Sequence, residues 1–550
     1  MKKLTTMTLL AAAALAGCGN QEDVQSGALQ STNSAADISA SYNGINAEQL
    51  AEHIKVLASD EFEGRAPSSK GEKLTLDYLT KHFTALGFQP GNGDSFLQAV
   101  PMVSIEASPD MSLSIGGKAY KYGEEMVMGS SRITPSSSIK DSELVFVGYG
   151  INAPEYQWND YQDIDVKGKT VVILVNDPGY ATQDPALFTG NAMTYYGRWT
   201  YKYEEASRQG AAGAIIVHET APASYGWSVV EHSWTGPQFG FVRDDKNMGR
   251  VAVEGWVNNE VAKEIFSKAG LDFSQMKAQA AKGSFSVDMG DLTASVSVEN
   301  TVKESVSYNF VATLPGSTAP QEHILYSAHW DHLGKDESLT GDQIYNGAVD
   351  NASGTGALIE VAQAFASLPV KPQRSITILA VTAEEQGLLG SKYYAANPII
   401  PAAKTVANIN MDALGVDGRS SDVSVYGLGQ SELDNFLAKA AKKQGRTVAG
   451  DPSPAAGIYY RSDHFAFANV GIPALYAKSG KTPVDAQTKA LRASLKERLG
   501  KCYHNVCDEY SEQWDLSGAV EDMQAFFEIG YDLSHQGVWP QWSKTSEFKR

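Results

Sequence analysis

Eight residues in the second half of the chain carry side chains that bind cations or move protons, and most of them follow the end of an apolar run. His329 and Asp331 follow Ile324-Leu-Tyr-Ser-Ala, Glu384 and Glu385 follow Ile376-Thr-Ile-Leu-Ala-Val, and Asp412 follows Val406-Ala-Asn-Ile-Asn-Met. Asp350 opens a Gly- and Ser-containing segment, and Asp463-His464 lie in a loop. Imidazole nitrogens and carboxylate oxygens are the donors that divalent transition metals take. Glu384 and Glu385 are adjacent, so their side chains diverge: one can bind a cation while the other stays free to accept a proton. One acid at a strand end is ordinary solvation; this whole set converging on one sheet edge is not.

The elements that must position these groups alternate. Strands are expected over Asn309 to Leu314, His323 to His329, Ser375 to Thr382 and Val406 to Met411, with helices over Gly354 to Leu368 and Gly387 to Ala395. Strand and helix in succession predict an α/β fold with a mixed, mostly parallel central sheet and helices on both faces. Ligands in such sheets bind beyond the carboxyl ends of the strands, which is where the eight residues fall.

The motifs His329-Trp-Asp-His-Leu-Gly, Gly347-Ala-Val-Asp-Asn-Ala-Ser-Gly, Ala383-Glu-Glu-Gln-Gly-Leu-Leu-Gly-Ser, Asn410-Met-Asp and Arg461-Ser-Asp-His resemble those of the co-catalytic zinc aminopeptidase family. That family includes glutamate carboxypeptidases, glutaminyl cyclases and the transferrin receptor. The resemblance implies two zinc ions per chain, with Asp350 bridging them, Glu385 and His464 completing one, His329 and Asp412 completing the other, and Glu384 as general base. Three carboxylates and a bridging hydroxide would balance two Zn²⁺. Asp331 lies two residues after His329, so in extended chain both face one way and the carboxylate can hold the imidazole tautomer. The implied reaction is two-metal hydrolysis of N-terminal residues from peptides, with Tyr459 or Tyr460 available to donate to the oxyanion. His332 reads as a loop or packing residue. His504 and Asp508 match the family's Tyr-His-x-x-x-Asp segment in location only.

Three alternatives stay open at this point. A carboxypeptidase or dipeptidase of the glutamate carboxypeptidase type would need a cation for a free carboxylate, and Arg461 is a candidate. A glutaminyl cyclase would use one zinc. A non-enzymatic binding lipoprotein would resemble the transferrin receptor, but that receptor has lost ligands and none is missing here. There is no Gly-x-Ser-x-Gly, Walker A loop or Gly-x-Gly-x-x-Gly to support a serine hydrolase or a nucleotide-binding protein.

Before the catalytic segment the texture is β-rich. Residues 127–300 contain Val166-Lys-Gly-Lys and Gly210-Ala-Ala-Gly-Ala-Ile-Ile-Val, which resemble a protease-associated domain inserted in a peptidase. The peptidase domain would then comprise residues 44–126 and 301–550. Helices are expected from Asn46 and over Gly71 to Leu86, flanking a Gly64-Arg65-Ala66-Pro67 loop. Met1-Lys-Lys followed by the apolar Met7 to Gly17 reads as a signal peptide, residues 1–17. Leu15-Ala-Gly-Cys18 resembles a lipobox, which makes Cys18 the lipidation site. Gly19 in the next position is not the Asp that in such lipoproteins often signals inner-membrane retention, so the resemblance implies an outer-membrane-directed lipoprotein. Residues 18–43 read as a flexible polar tether. Removing Cys18 from three cysteines leaves Cys502 and Cys507, read as a disulfide worth about 2 kcal/mol in the chain-entropy model.

The 550 residues, 43% hydrophobic and 20% charged, exclude wholesale disorder and fibrous architectures. A formal charge of -19 excludes nucleic acid as a partner. The expected partners are peptide substrates and, through the lipid, a membrane.

Overall fold

The computed structural model describes residues 37–544 and 546–549. The leader, Cys18 and most of the tether lie outside the described residues. The tether's last part does not remain extended: Ser39–Gly44 form a short helix, α1. The Tyr42 hydroxyl accepts from Gln444 (3.1 Å) and its carbonyl accepts from Gln524 (3.2 Å), so Tyr42 anchors the chain before Ile45.

Two amphipathic helices follow, α2 (Ala47–Leu57) and α3 (Lys70–Ala85). Asn46 caps the first by accepting from the Gln49 N–H, and Ser69 caps the second by accepting from that of Glu72. Between them Arg65 is fully buried. Its guanidinium donates to the carbonyls of Leu57 and Asn346 (both 2.6 Å), Gly347 (2.9 Å) and Trp330 (3.0 Å). One side chain thus ties the N-terminal helices to the segments that precede Asp350 and follow His329.

The central sheet is built from β1 (Leu97–Ala107), β2 (Val287–Leu314), β3 (Ala319–His329), β4 (Arg374–Val381), β5 (Thr405–Asn410), β6 (Asp422–Tyr426), β7 (Thr447–Gly450) and β8 (Ala474–Ser479). Pairing runs β1-β2-β4-β3-β5-β8-β6-β7. β4, β3, β5 and β8 are mutually parallel; β2 joins β4, and β6 joins β8, antiparallel. β4 and β5 are buried throughout and β3 from Ile324 onward, as parallel strands covered on both faces must be. On one face α2, α3, α4 (Ser353–Ala366) and the C-terminal helix α8 (Ser517–His535) pack into one core. On the other, α5 (Leu389–Ala396) and α6 (His464–Asn469) pack with Tyr459, Tyr460 and Phe548. Near the C-terminus α7 (Ala486–Cys502) leads into the loop that carries His504. No helix of the described residues is long and apolar enough to cross a membrane.

The strand expected over 309–314 is the end of a 28-residue strand. Its first part, to Glu299, pairs with Ser136–Phe146, and its later part, from Asn300, pairs with β1. The second sheet carries its own buried apolar clusters and four parallel strands, Ser136–Phe146, Thr170–Leu174, Gly213–Val217 and Val253–Val257. It reaches back to Ser112–Ile115, before residue 127, because Ala294 and Ser295 of β2 pair there.

Candidate metal centre

The parallel strands end together, and the chain leaves each end with a metal-type side chain. His329 is the last residue of β3 and is buried. Its Nδ1 donates to the Asp331 carbonyl (3.2 Å), so Nε2 is the nitrogen turned to the acids. That nitrogen lies 3.2 Å from Asp350 Oδ1 and 3.7 Å from Asp412 Oδ1. The Asp331 carboxylate stands 3.9 Å from Nδ1 and does not hold the tautomer. It accepts instead from the peptide N–H of Glu384 (3.1 Å) and Glu385 (3.4 Å). The expected role of Asp331 is therefore corrected: its main chain orients His329 and its side chain fixes the β4 exit, where Ala383 adopts a φ of 54°.

Asp350 precedes α4. Its peptide N–H donates to Asp508 Oδ2 (3.1 Å), that of Val349 donates to the same carboxylate, and the Asp508 carbonyl accepts from Ala348 (2.9 Å). Asn351 Oδ1 accepts from Gly354 and Ala413, joining the start of α4 to the segment carrying Asp412. A Cβ at Gly354 would sit 2.4 Å from the Met411 carbonyl, so only glycine permits this approach.

The second oxygen of Asp350 faces His504, whose Nε2 lies 3.2 Å from Oδ2 and 3.0 Å from Glu385 Oε2. Glu385 Oε1 meets His332 Nδ1 at 2.6 Å. His332 is thus engaged with the acidic cluster, not merely with packing. His329 forms one group of closely spaced donors with Asp350 and Asp412 and another with Glu384 and Glu385.

His464 is not brought into these groups. Both its ring nitrogens are buried without a hydrogen-bond partner, and the ring stacks on Tyr476 (4.9 Å) and meets Tyr459 edge-on (4.5 Å). Burial pushes its pKa down to about 3. The expectation that His464 completes a metal site is corrected: it stands apart from the donor groups, and the imidazoles set against Asp350 and Glu385 are those of His332 and His504. Its neighbour Asp463 accepts from the Ser391 hydroxyl (2.6 Å). The two tyrosines expected near an oxyanion are also displaced. Tyr460 donates to Glu547 (2.7 Å), and the Tyr459 hydroxyl is enclosed with no partner. The tyrosines in the field of Asp412, Asp350 and Glu384 are Tyr476 and Tyr503, both raised above their usual pKa by burial first and by these carboxylates among the other causes. Arg461 is exposed, forms no ion pair among the described residues, and lines a cavity with Arg198. Cys502 and Cys507 are bonded (S–S 2.04 Å), and the loop they close contains His504.

The electrostatics match a cation centre. Burial opposes charge on His329, yet Glu384, Asp350 and Asp412 hold its pKa well above the usual range. Burial likewise opposes charge on His504, but Asp350 and Glu385 raise it to about 10. Burial would raise Asp350, Glu385 and Asp412, but hydrogen bonds from the histidines hold them low. Glu384 lacks such help: burial, then Asp463, Asp412 and Glu385, push it well above the usual range against the pull of His329. Burial pushes Asp331 up to about 7. Among the described residues no Lys or Arg forms an ion pair with Asp350, Glu384, Glu385 or Asp412. A buried group of four carboxylates, ion-paired among the described residues to imidazoles and with the Lys478 ammonium at the Asp412 carbonyl (3.3 Å), has the donor types and excess negative charge that zinc-class cations offset.

Comparison with known proteins agrees with this chemistry. Residues 309–527 match the family described as "Peptidase family M28". The leupeptin-inactivating enzyme 1 of Streptomyces exfoliatus is 28% identical over 249 residues, 44% of this chain and 50% of that protein. An aminopeptidase of Pseudomonas aeruginosa (strain UCBPP-PA14) is 28% identical over 262 residues, 45% of this chain and 46% of that protein. A probable zinc metalloprotease of Pyrenophora tritici-repentis is 38% identical over 106 residues, 19% of this chain and 24% of that protein. The chain spans about half the length of the first two relatives. The solved aminopeptidase of Aneurinibacillus sp. strain AM-1 aligns over 90% of this chain and 96% of its own, with a TM-score of 0.48 and 18% identity.

Proposed function

We propose, from the premise that the segment 309–527 belongs to peptidase family M28, that the protein is a zinc exopeptidase removing N-terminal residues from peptides. The observation that carries this reading is the position of Asp350, one oxygen on His329 and the other on His504, each at 3.2 Å, beside the uncommitted carboxylate of Glu384. A carboxylate with two such faces suits two cations. His329, Asp350 and Asp412 would hold one zinc; Asp350, Glu385 and His504 would hold the other. Zinc there would supply Lewis acidity toward a peptide carbonyl and toward a water.

The chain's own residues supply the rest. Glu384 takes the proton of the attacking water and returns it to the leaving amine. Asp331, by binding the Glu384 and Glu385 peptide N–H groups, keeps one carboxylate turned to the cation and its neighbour free. The Asp331 carbonyl keeps His329 Nε2 aimed at the cluster. The reading extends to the envelope: Cys18 bears the lipid, residues 127–300 are a protease-associated domain, and the enzyme is held at the outer membrane. Loss of labelled-palmitate incorporation in Cys18→Ser tests the anchor.

The deciding experiment compares an aminoacyl amide bearing a free amine with its N-acetylated form, with zinc content measured on the same preparation. Cleavage of the free-amine form is expected, falling at least about a hundredfold in kcat in Glu384→Gln with zinc retained. Cleavage of the blocked form alone would overturn the aminopeptidase reading.

A further inference from the structure

Glu360, in the middle of α4, is 1% exposed, and neither of its carboxylate oxygens takes part in a hydrogen bond. Among the described residues its one ion-pair neighbour is His53 of α2, whose Nε2 stands 3.4 Å away while its Nδ1 meets the Tyr78 hydroxyl at 2.7 Å. A buried carboxylate held by so long a contact recovers little of the cost of leaving water. Glu360 and His53 line a cavity of about 850 Å³. Glu48, Glu52, Glu512 and Asp515 line it as well, with Lys55 as the one Lys or Arg among its walls. His82, which also lines it, is neutral: burial first, then His53 and Lys81, lower its pKa to about 4.

Lys55 shows what such a surface selects. Its Nζ stands 4.8 Å from the centre of the Tyr510 ring and pairs with Glu512 (3.2 Å) and Glu52 (3.4 Å). Trp514, edge-on to Tyr510 with ring centres 5.4 Å apart, extends the aromatic wall. Acids and aromatic faces together are the groups that hold organic cations, the acids by charge-assisted hydrogen bonds and the rings by their quadrupole.

The walls are set by folding. α2 and α4 pack so closely that a Cβ on Gly356 would come within 3.0 Å of His53 Cβ, and Arg65 fastens the end of α2 to Asn346 and Gly347. Asp515 ties down the remaining wall, Tyr510 to Leu516: its peptide N–H donates to the Val416 carbonyl (3.0 Å) and its carbonyl accepts from Gly418 (2.9 Å). A preformed cavity loses little ordering entropy when it is filled. None of the metal-type donors lines it.

We propose that this cavity is a second binding site, for an organic cation of the alkylammonium class, with Glu360 as its anionic anchor and Tyr510 and Trp514 as its aromatic wall. The entering ammonium takes the Glu360 carboxylate from His53, which keeps its bond to Tyr78. The ammonium has two sources, a free diamine or the lysine side chain of a peptide, and the recognition chemistry is the same for both. The site does not depend on the exopeptidase reading.

The test is calorimetry on the zinc-loaded full chain at one ionic strength. Cadaverine is compared with the neutral pentanediol of the same length and with glutarate, and N-acetyl-Gly-Lys-Gly-amide with its Gln counterpart. Cadaverine or the lysine peptide is expected to bind with a Kd of about 1 mM or tighter, and the uncharged and anionic compounds not to bind. Which of the two cations binds identifies the source. Binding should weaken about tenfold in Glu360→Gln and about threefold in Trp514→Leu. In Glu48→Gln, on the exposed rim, the loss should stay below about threefold. Binding of neither cation, equal binding of the pentanediol, or an unchanged Kd in Glu360→Gln or Trp514→Leu overturns the proposal; the last would place the amine elsewhere, the zinc included. Equal losses in Glu48→Gln and Glu360→Gln describe an acidic surface without a site and overturn it too. Thermal melts identify any variant that fails to fold, and Glu360→Asp, which keeps the charge on a shorter arm, then carries the comparison with a smaller loss. In the wild type, cadaverine and not pentanediol should raise the melting temperature as its concentration passes the Kd.

Discussion

His504 Nε2 lies 3.0 Å from a carboxylate oxygen of Glu385, while the other oxygen of Glu385 is taken by His332. Two imidazoles therefore close on the Glu385 carboxylate, one of them in the loop after α7. The histidine of the Ser-Asp-His motif is packed among tyrosines instead. The two histidines make opposite predictions.

In His504→Ala, zinc content measured by atomic emission should fall from two ions per chain to about one, with kcat lower by about a hundredfold or more. In His464→Phe the aromatic packing is kept and both ions should remain. Full zinc content in His504→Ala would exclude it as a ligand.

Asp331 supports two buried peptide N–H groups at once. Asp331→Ala leaves both without an acceptor, a loss of about 1–3 kcal/mol for each group that water cannot reach. A lower urea midpoint and weaker zinc retention are expected together, since the same bonds position Glu384 and Glu385. Asp331→Asn keeps one acceptor and should fall between the alanine variant and the wild type.

The disulfide encloses His504, and Asp508, immediately after Cys507, binds the peptide N–H groups of Val349 and Asp350. Opening it in the Cys502→Ser/Cys507→Ser double variant frees one metal ligand at a cost of about 2 kcal/mol to the fold. Competition with a graded chelator should show one of the two ions released at lower chelator concentration than in the wild type. Identical release curves would reduce the bond to a local staple.

Burial lowers the pKa of His323 from 6.5 to about 4, and Nδ1 pairs with the Thr377 hydroxyl at 2.9 Å. The unfolded chain therefore binds this proton more readily than the folded one. The contribution of neutral His323 is complete above pH 6.5 and is lost as pH falls toward 4. Urea midpoints at pH 7.5 and pH 5 should differ more for the wild type than for His323→Gln; parallel shifts would remove His323 from the acid response.

The sequence carries the catalytic sheet well because its strands are apolar runs and its ligands follow them directly. Strands and helices from Ala319 to Asn410 begin and end within a few residues of their expected limits. His329, Asp350, Glu385 and Asp412 meet because parallel strands bring their carboxyl ends to one edge. His504 lies beyond the sheet, on a loop whose approach to Glu385 depends on how α7 and Asp508 dock. The available signal was the Cys502–Cys507 bracket and the Tyr-His-x-x-x-Asp spacing, which together hold the histidine against Asp350. Arg65 was legible only as part of a turn. Three of its four carbonyl partners, Trp330, Asn346 and Gly347, come from two distant segments, and no local pattern records them. The start of the second sheet was missed for a related reason: Ser112–Ile115 is too short to announce its partner in β2.

β2 runs for 28 residues without a break and belongs to both sheets. A domain joined by loops could swing open to admit substrate, but a strand hydrogen-bonded along its length on both sides of the boundary offers no hinge there. The spacing between the two sheets is then set by folding, before any ligand arrives. Transplanting the second sheet into another protein would require carrying β2 and its register with β1, because the spacing is stored in that strand.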